Sequence, residues 1–468
     1  MRLSSVTAAV LSIICGTSVA FAAANQEIPK RLHEVETQGQ PQPQTQTPTT
    51  TPSPQDFNKM TAQQKLDFLQ QQLDNIQLQL NNRSKVGVNA RLSRYANIND
   101  SHGYSYFETD STAPFDLLPD TTFIPNLLKE RSDFAGHKVI FGGYFEFDPQ
   151  VWDGSYRAPA GQTAYHSGSQ ISTTTAKFDV MAKLNAWTTM FFTGEANLTS
   201  SMSVSVERAF IVFGNLKRNP LFAAFGQFYL PFGVFGTGGP WTNSLTKTTF
   251  RPGTQDQLLF GYDFDGLNTN FALFNRGTGN GNATDFVYSF YKNDKLGKWS
   301  VNYGAGYIFD TRGDGSAIGS AYTSGTSNQL SGGRNPAFDL NLTIHYSVFG
   351  LAGEYNQAFH SANYGTTSTG IMRSWTVAGS YAPTLWNKVT LFALDYSQTH
   401  HMDNIPMGLS GHAVTAVNAT EGFKRQIIAS VSREIVHNIY LGPEFVYAWV
   451  NNSAGETWTG TLDVSAYF

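Results

Sequence analysis

Residues 456–468 read ETWTGTLDVSAYF, and this stretch decides the fold class. Successive side chains of a strand point to opposite faces. Trp458, Gly460, Leu462, Val464, Ala466 and Phe468 therefore share one face, and Thr459, Thr461, Asp463, Ser465 and Tyr467 share the other. One face suits hydrocarbon and the other water, the lipid-out, lumen-in alternation of a transmembrane β-barrel. A terminal aromatic such as Phe468 is where bacterial outer-membrane barrels commonly present a signal to their assembly machinery, which becomes an expected partner.

The same period of two recurs upstream. Phe178, Val180, Ala182 and Leu184 oppose Lys177, Asp179, Lys183 and Asn185. Trp299, Val301, Tyr303, Ala305, Tyr307 and Phe309 oppose Ser300, Asn302 and Asp310. Phe338, Leu340, Leu342, Ile344 and Tyr346 oppose Asp339, Asn341, Thr343, His345 and Ser347. Strands are predicted at 137–149, 174–186, 188–199, 203–214, 221–230, 257–263, 266–275 and 284–292, then at 298–309, 337–347, 349–359, 371–382, 387–399, 423–433, 438–450 and 456–468. They form an all-β membrane protein, an antiparallel barrel of about sixteen strands over residues 137–468, each strand long enough to span when tilted. Long connections are expected at 150–173, 231–256, 310–336 and 400–422, with short turns between. Long loops outside and short turns inside place the barrel in a Gram-negative outer membrane, with outer-membrane lipid as its surroundings and the N-terminal segment in the periplasm.

Composition agrees. Lys and Arg number 31 and Asp and Glu 35, so charged residues make up 14% of the 468, against about 25% in soluble proteins. Aromatics reach 14% and glycines number 43, as expected of a barrel belted at two interfaces. A soluble β-sandwich would need more charge on its outer faces. A net charge of −4 without a basic block excludes a nucleic-acid partner. Beyond the N-terminus no apolar run of about 18 residues could form a spanning helix.

Residues 1–22 read as a signal peptide: Arg2, an apolar Val6–Ile14 core, and Ala20-Phe21-Ala22 before the cut. Cys15, the single cysteine, lies inside it, and bulky Ile14 argues against a lipoprotein acceptor. Residues 23–56 form a Pro-, Gln- and Thr-rich linker with too little apolar surface to fold. Over 57–84 a helix is expected, capped by Thr61 with Gln64, with Leu66, Leu69, Leu73, Ile76 and Leu80 in coiled-coil spacing. That seam leans toward a trimer or tetramer rather than a dimer, with a homotrimer the expected partner state; a lone amphipathic helix is the alternative. Residues 85–136 connect helix and barrel and could form a partial plug.

Sixteen strands leave room for an aqueous channel. The connection 231–256, third of those at the outer end and following the fifth strand, is where many porins fold a constriction inward, and Lys247 and Arg251 could present positive charge to an anion. Arg276 at the top of the seventh strand and Trp241 in the same loop join them as substrate-contact candidates. His400, His401, His412 and Asp403 share one outer loop, but no H-E-x-x-H or G-x-S-x-G pattern accompanies them. No enzyme, cofactor or metal site is expected. A plugged, energised receptor needs a larger N-terminal domain and more strands.

The stretch GQFYLPFG, Gly226 to Gly233 with Gln227, Pro231 and Phe232 within it, is similar to a motif of phosphate-selective-type porins. Followed by VFGT, it more closely resembles the LbtU family of outer-membrane siderophore porins of Legionella-type bacteria. The resemblance implies a signal peptide, periplasmic coiled coil and sixteen-stranded barrel in that order, and uptake of a ferric siderophore or similar anionic iron chelate without an energised plug. A general or anion-selective porin is the alternative. The longer Pro/Gln-rich linker departs from the family pattern.

Overall fold

The computed structural model describes residues 121–131, 138–156, 167–197, 203–236, 242–275, 285–323, 330–365, 367–402, 405, 423–436, 439–450 and 455–467. The expected signal peptide, linker and coiled-coil helix lie outside them, as do Trp241, Arg276, Asp403, His412 and Phe468.

Among the described residues sixteen long strands close into one antiparallel barrel. They are β1 Val139–Tyr156, β2 Ser167–Lys183, β3 Thr188–Asn197, β4 Ser203–Gly214, β5 Leu221–Tyr229, β6 Thr254–Phe264, β7 Leu267–Phe274 and β8 Asp285–Leu296. The second half comprises β9 Trp299–Ile308, β10 Ala337–Tyr346, β11 Phe349–Tyr364, β12 Thr367–Tyr381, β13 Lys388–His400, β14 Phe423–Val436, β15 Ile439–Val450 and β16 Gly455–Tyr467. Two-residue pairings, Leu330–Ser331 and Thr384–Leu385, sit at the rims. Closure is made by β1 against β16, with Phe147 opposite Val464 and Val151 opposite Gly460.

Burial follows the alternation read from the sequence. In β16, Thr459, Thr461, Asp463 and Ser465 are buried, whereas Leu462 on the opposite face is exposed. Phe141, Phe178, Phe225, Phe260, Leu340, Leu351, Leu394 and Phe445 likewise stand exposed on the outer wall, an apolar band matched to hydrocarbon. No helix among the described residues is long and apolar enough to cross a membrane; crossing by strands is a separate matter.

One end of the barrel carries tight turns and the other long loops. At the turn end Asp265 and Gly266 both have positive φ, 48° and 73°, which matches the twist of a two-residue hairpin. Two expected connections are shorter than the sequence suggested. Residues 150–156 and 167–173 are strand, because β1 and β2 continue as a paired ribbon to Asp153–Ser167. Likewise β11 and β12 run on to a tight turn, pairing Tyr364 with Thr367. Their Ser-, Thr- and Gln-rich tips clear the apolar band, so hydropathy alternation fades there while backbone pairing continues.

Among the described residues three short helices accompany the barrel: α1 Phe123–Glu130, α2 Leu245–Phe250 and α3 Ala317–Thr323. The first precedes β1; the other two belong to the connections after β5 and β9.

Candidate functional site: the barrel lumen

The connection after β5 crosses the lumen. Sixteen strands about 4.8 Å apart and tilted near 40° enclose a ring about 30 Å across. The loop leaves at β5 and is held by β11, β12, β13 and β15, which lie toward the opposite wall. Glu354 of β11 accepts the amides of Val234 (2.9 Å) and Phe235 (2.9 and 3.0 Å). Glu444 of β15 accepts the Thr242 amide at 3.0 and 3.2 Å. The Leu245 amide donates to Ser397 Oγ at 3.2 Å, Thr246 shares a 2.8 Å hydroxyl bond with Thr376, and Thr249 Oγ1 donates to Ser374 Oγ at 3.1 Å. Bonds to charged acceptors are worth about 1.5–3 kcal/mol each, so the two glutamates are the main tethers.

The path is prepared by the Gly226–Gly233 stretch. Gly226 has φ +132°, and a Cβ there would lie 2.3 Å from the Ala209 carbonyl oxygen. Gln227 Nε2 donates to the Val206 carbonyl at 3.1 Å. Pro231, buried, lacks an N–H and ends the ladder. Gly233, at φ +74°, turns the chain so that Phe232 and Phe235 both bury, their rings 6.2 Å apart. These rings and Phe250 join Ile308, Ile318, Met372, Met402 and Ile405 in one apolar cluster under the loop end. There the loops after β5 and β9, the third and fifth at this end of the barrel, also meet: the Gly253 amide donates to the Asp314 carbonyl at 2.9 Å.

Lys247 lies on α2 with only 7% of its surface exposed, close enough to act electrostatically on Glu354. Arg251 caps α2, and its guanidinium lies 4.2 Å from the centre of the Tyr229 ring. The structure therefore brings these two candidates onto one inward loop.

Arg251 is the end of a longer chain of contacts. Arg208 also lies over the Tyr229 ring, at 4.9 Å, and over the Phe123 ring of α1 at 4.7 Å. Tyr229 OH donates to Glu207 at 2.7 Å, and Glu207 pairs with Lys177 at 2.7 Å. The constriction loop and α1 are thus joined through two guanidiniums and one phenol ring.

Helix α1 lies against the inner wall at the turn end. Phe123, Ile124, Leu127 and Leu128 bury against Met181, Phe191, Phe210, Val212, Phe222 and Leu259, with Phe123 and Phe191 edge to face at 5.3 Å. Arg131 donates to Thr189 Oγ1 (2.8 Å), to the Gly214 carbonyl (2.9 Å) and to the Ala186 carbonyl. Lys129 pairs with Asp263 at 2.7 Å, and Asn270 donates to the Thr121 carbonyl at 2.9 Å. An eight-residue helix is not stable alone; these contacts make it.

The remaining wall is acidic. Glu146, Asp148, Asp339, Glu354, Asp395, Glu444 and Asp463 are buried, against the buried cations Arg131, Lys177, Arg208 and Lys247. The carboxylates of Glu146, Asp148 and Asp463 approach within 4.8 Å of one another. Oxygen-only groups suit hard cations, but clustered acids alone assign no ion. Sequence reading missed this trio because Asp463 meets β1 only through barrel closure.

Comparison with known proteins places these features among similar sequences and folds. A family profile described as "Protein of unknown function (DUF3573)" matches residues 101–332. A "UPF0422 protein" of Coxiella burnetii is 31% identical over 191 residues, 36% of this chain. The chain spans 37% of that relative's length. Among solved structures, OmpF of Salmonella typhi, in a complex with daunomycin, aligns with 71% of this chain and 98% of its own at 12% identity and a TM-score of 0.48. A loop-deletion form of OmpT, an outer membrane protein of Vibrio cholerae, covers 70% and 99% at 14% identity and 0.45. An anion-selective porin from Comamonas acidovorans covers 70% and 99% at 12% identity and 0.43.

Proposed function

We propose that the chain forms a passive outer-membrane channel for small hydrophilic solutes, with the long loops outside and the tight turns in the periplasm. One observation carries this reading: the 231–253 segment is tethered across the lumen to Glu354 and Glu444. A loop fixed inside a barrel narrows a water path and sets which solutes pass. The test is single-channel conductance of the full chain in planar bilayers. Glu354→Ala with Glu444→Ala should free the loop and raise or destabilise the open level by about twofold, while the barrel keeps its heat-modifiable migration in gels. A wild-type protein that never conducts would overturn the channel reading.

A second, finer reading is uptake of a ferric siderophore or another anionic chelate. It rests on the Gly226–Gly233 resemblance and on Lys247 and Arg251 sharing the inward loop, with Arg276 and Trp241 as further contacts. The buried carboxylates favour cations over anions. Reversal potential in a salt gradient decides between them, and Lys247→Gln with Arg251→Gln should lower anion passage if the chelate reading holds. A deletion strain that grows no worse on the chelated iron argues for the general channel. Trimerisation through the coiled coil and recognition of Phe468 by the assembly machinery belong to the same proposal; cross-linking with and without residues 57–84 tests the first.

A further inference from the structure

At the loop end of three neighbouring strands the outer wall turns basic. Arg373 of β12 pairs in register with His400 of β13, and Arg425 of β14 pairs with Gln398 two residues below His400. Lys424 and His401 flank them, and His400 lies within electrostatic range of Arg373, His401, Arg425 and Lys424. Arg373, His400 and Arg425 face outward, and exposed Lys424 sits in a bulge beside Arg425: Ile371 and Val377, on the same face of β12 as Arg373, are 43% and 45% exposed. Phe392 and Leu394 lie on the His400 face of β13 and are exposed as well.

Level with the patch and just toward the middle of the barrel lies an aromatic belt. Trp375 and Tyr396 sit 5.3 Å apart, and Tyr447 and Trp449 sit 4.6 Å apart. Trp449 is the register partner of Arg425 and Tyr447 that of Ile427. Such belts mark the level of lipid headgroups. Among the described residues, register places one outward acid near these strands, Glu456, opposite Trp449 on the far side from Arg425 and engaged by Tyr447.

We infer that Arg373, His400, Lys424 and Arg425 form a docking site for the phosphate groups of a phosphorylated glycolipid in the outer leaflet. Guanidinium groups match phosphate oxygens in a two-pronged geometry. The patch continues without a break into exposed apolar wall, so its occupant must carry both phosphate and acyl chains. A soluble anion would satisfy only the first requirement. His400, which the sequence grouped with His401, His412 and Asp403 in one outer loop, becomes a headgroup contact. The level of the patch rests on the orientation proposed above; the lipid binding itself does not depend on conductance.

The experiment is native mass spectrometry of the full-length barrel in detergent, titrated with diphosphoryl lipid A. Arg373→Gln, Lys424→Gln and Arg425→Gln together should weaken retention at least tenfold, and Arg373→Lys with Arg425→Lys should restore part of it. Lys388→Gln at the turn end, where Lys388 meets Glu434, should leave retention unchanged. Dephosphorylated lipid should bind no better to the wild type than to the triple variant. Equal retention by triple variant and wild type, or equal binding of the dephosphorylated lipid, would overturn the site. Inorganic phosphate bound as tightly as the lipid would overturn the choice of a lipid. Because conductance is not read, failure here is distinct from failure of the channel reading.

Discussion

Gly226 shows how one residue can govern a whole loop. Its φ of +132° is a conformation side chains rarely adopt, and an added Cβ would meet the Ala209 oxygen at 2.3 Å and the Phe210 Cα at 2.7 Å. Both contacts belong to the β4 backbone, which cannot step aside without breaking the ladder. Gly226→Ala should therefore cost about 1–3 kcal/mol, read as a lower midpoint in denaturant unfolding of the reconstituted barrel. The loop beyond should also lose its fixed entry direction, so the conductance should become noisier. Wild-type stability in this variant would mean that the positive φ is not required. This glycine was legible in the sequence as part of GQFYLPFG, but its reason was not. The clash partner, Ala209, lies on the preceding strand at a register that only pairing reveals.

Among elements, the fifth loop carries a titrating device of its own. Asp314, between β9 and α3, is buried and pushed up to about 7, chiefly by burial, against the hydrogen bonds it accepts from Ser316. The neighbouring charge of Asp310 adds to the rise, although Asp310 is itself paired with Arg312 at 3.0 Å. A carboxyl with a raised folded pKa binds its proton more tightly in the folded loop than in the unfolded chain. Its stabilising effect is fully present below about pH 4 and is lost as pH rises through about 7. Hydrogen exchange at the Gly253 and Ser316 amides, corrected for intrinsic rates, should show more protection at pH 5 than at pH 8. Asp314→Asn should flatten that difference; a pH-independent wild type would disprove it. Strands were readable because the two faces of each meet different solvents, and β16 displays this best. Loop paths were not readable in the same way. The 231–253 segment turns inward because Glu354 and Glu444, more than a hundred residues later, accept its amides. Helix α1 left only a faint trace, the apolar Phe123, Ile124, Leu127 and Leu128 in an otherwise unpatterned segment.

At the scale of the whole molecule, two obstructions sit in series along one lumen. The tethered loop lies under the loop end, and α1, about 10 Å wide with its side chains, lies at the turn end. Current through two narrow zones in series is limited by the tighter one, so widening the other alone changes little. Arg131 is the natural place to test which zone limits. Its side chain ties the end of α1 to Thr189 and to the Ala186 and Gly214 carbonyls beside two turns. Arg131→Ala leaves these acceptors to water, and Phe123→Ala removes the ring that Arg208 covers. Fully burying a large apolar side chain contributes about 1.5–3 kcal/mol, so the pair of changes should release α1 without opening the barrel wall. If α1 limits flow, the double variant conducts at least twice as well as wild type, and loosening Glu354 and Glu444 adds to the gain. If the loop limits, the α1 variant matters only in the loosened background. The Phe123–Arg208–Tyr229–Arg251 contacts add a further expectation, that releasing α1 also raises the gating noise of the loop. Unchanged conductance and noise in both backgrounds would show that α1 stands outside the path of the solute.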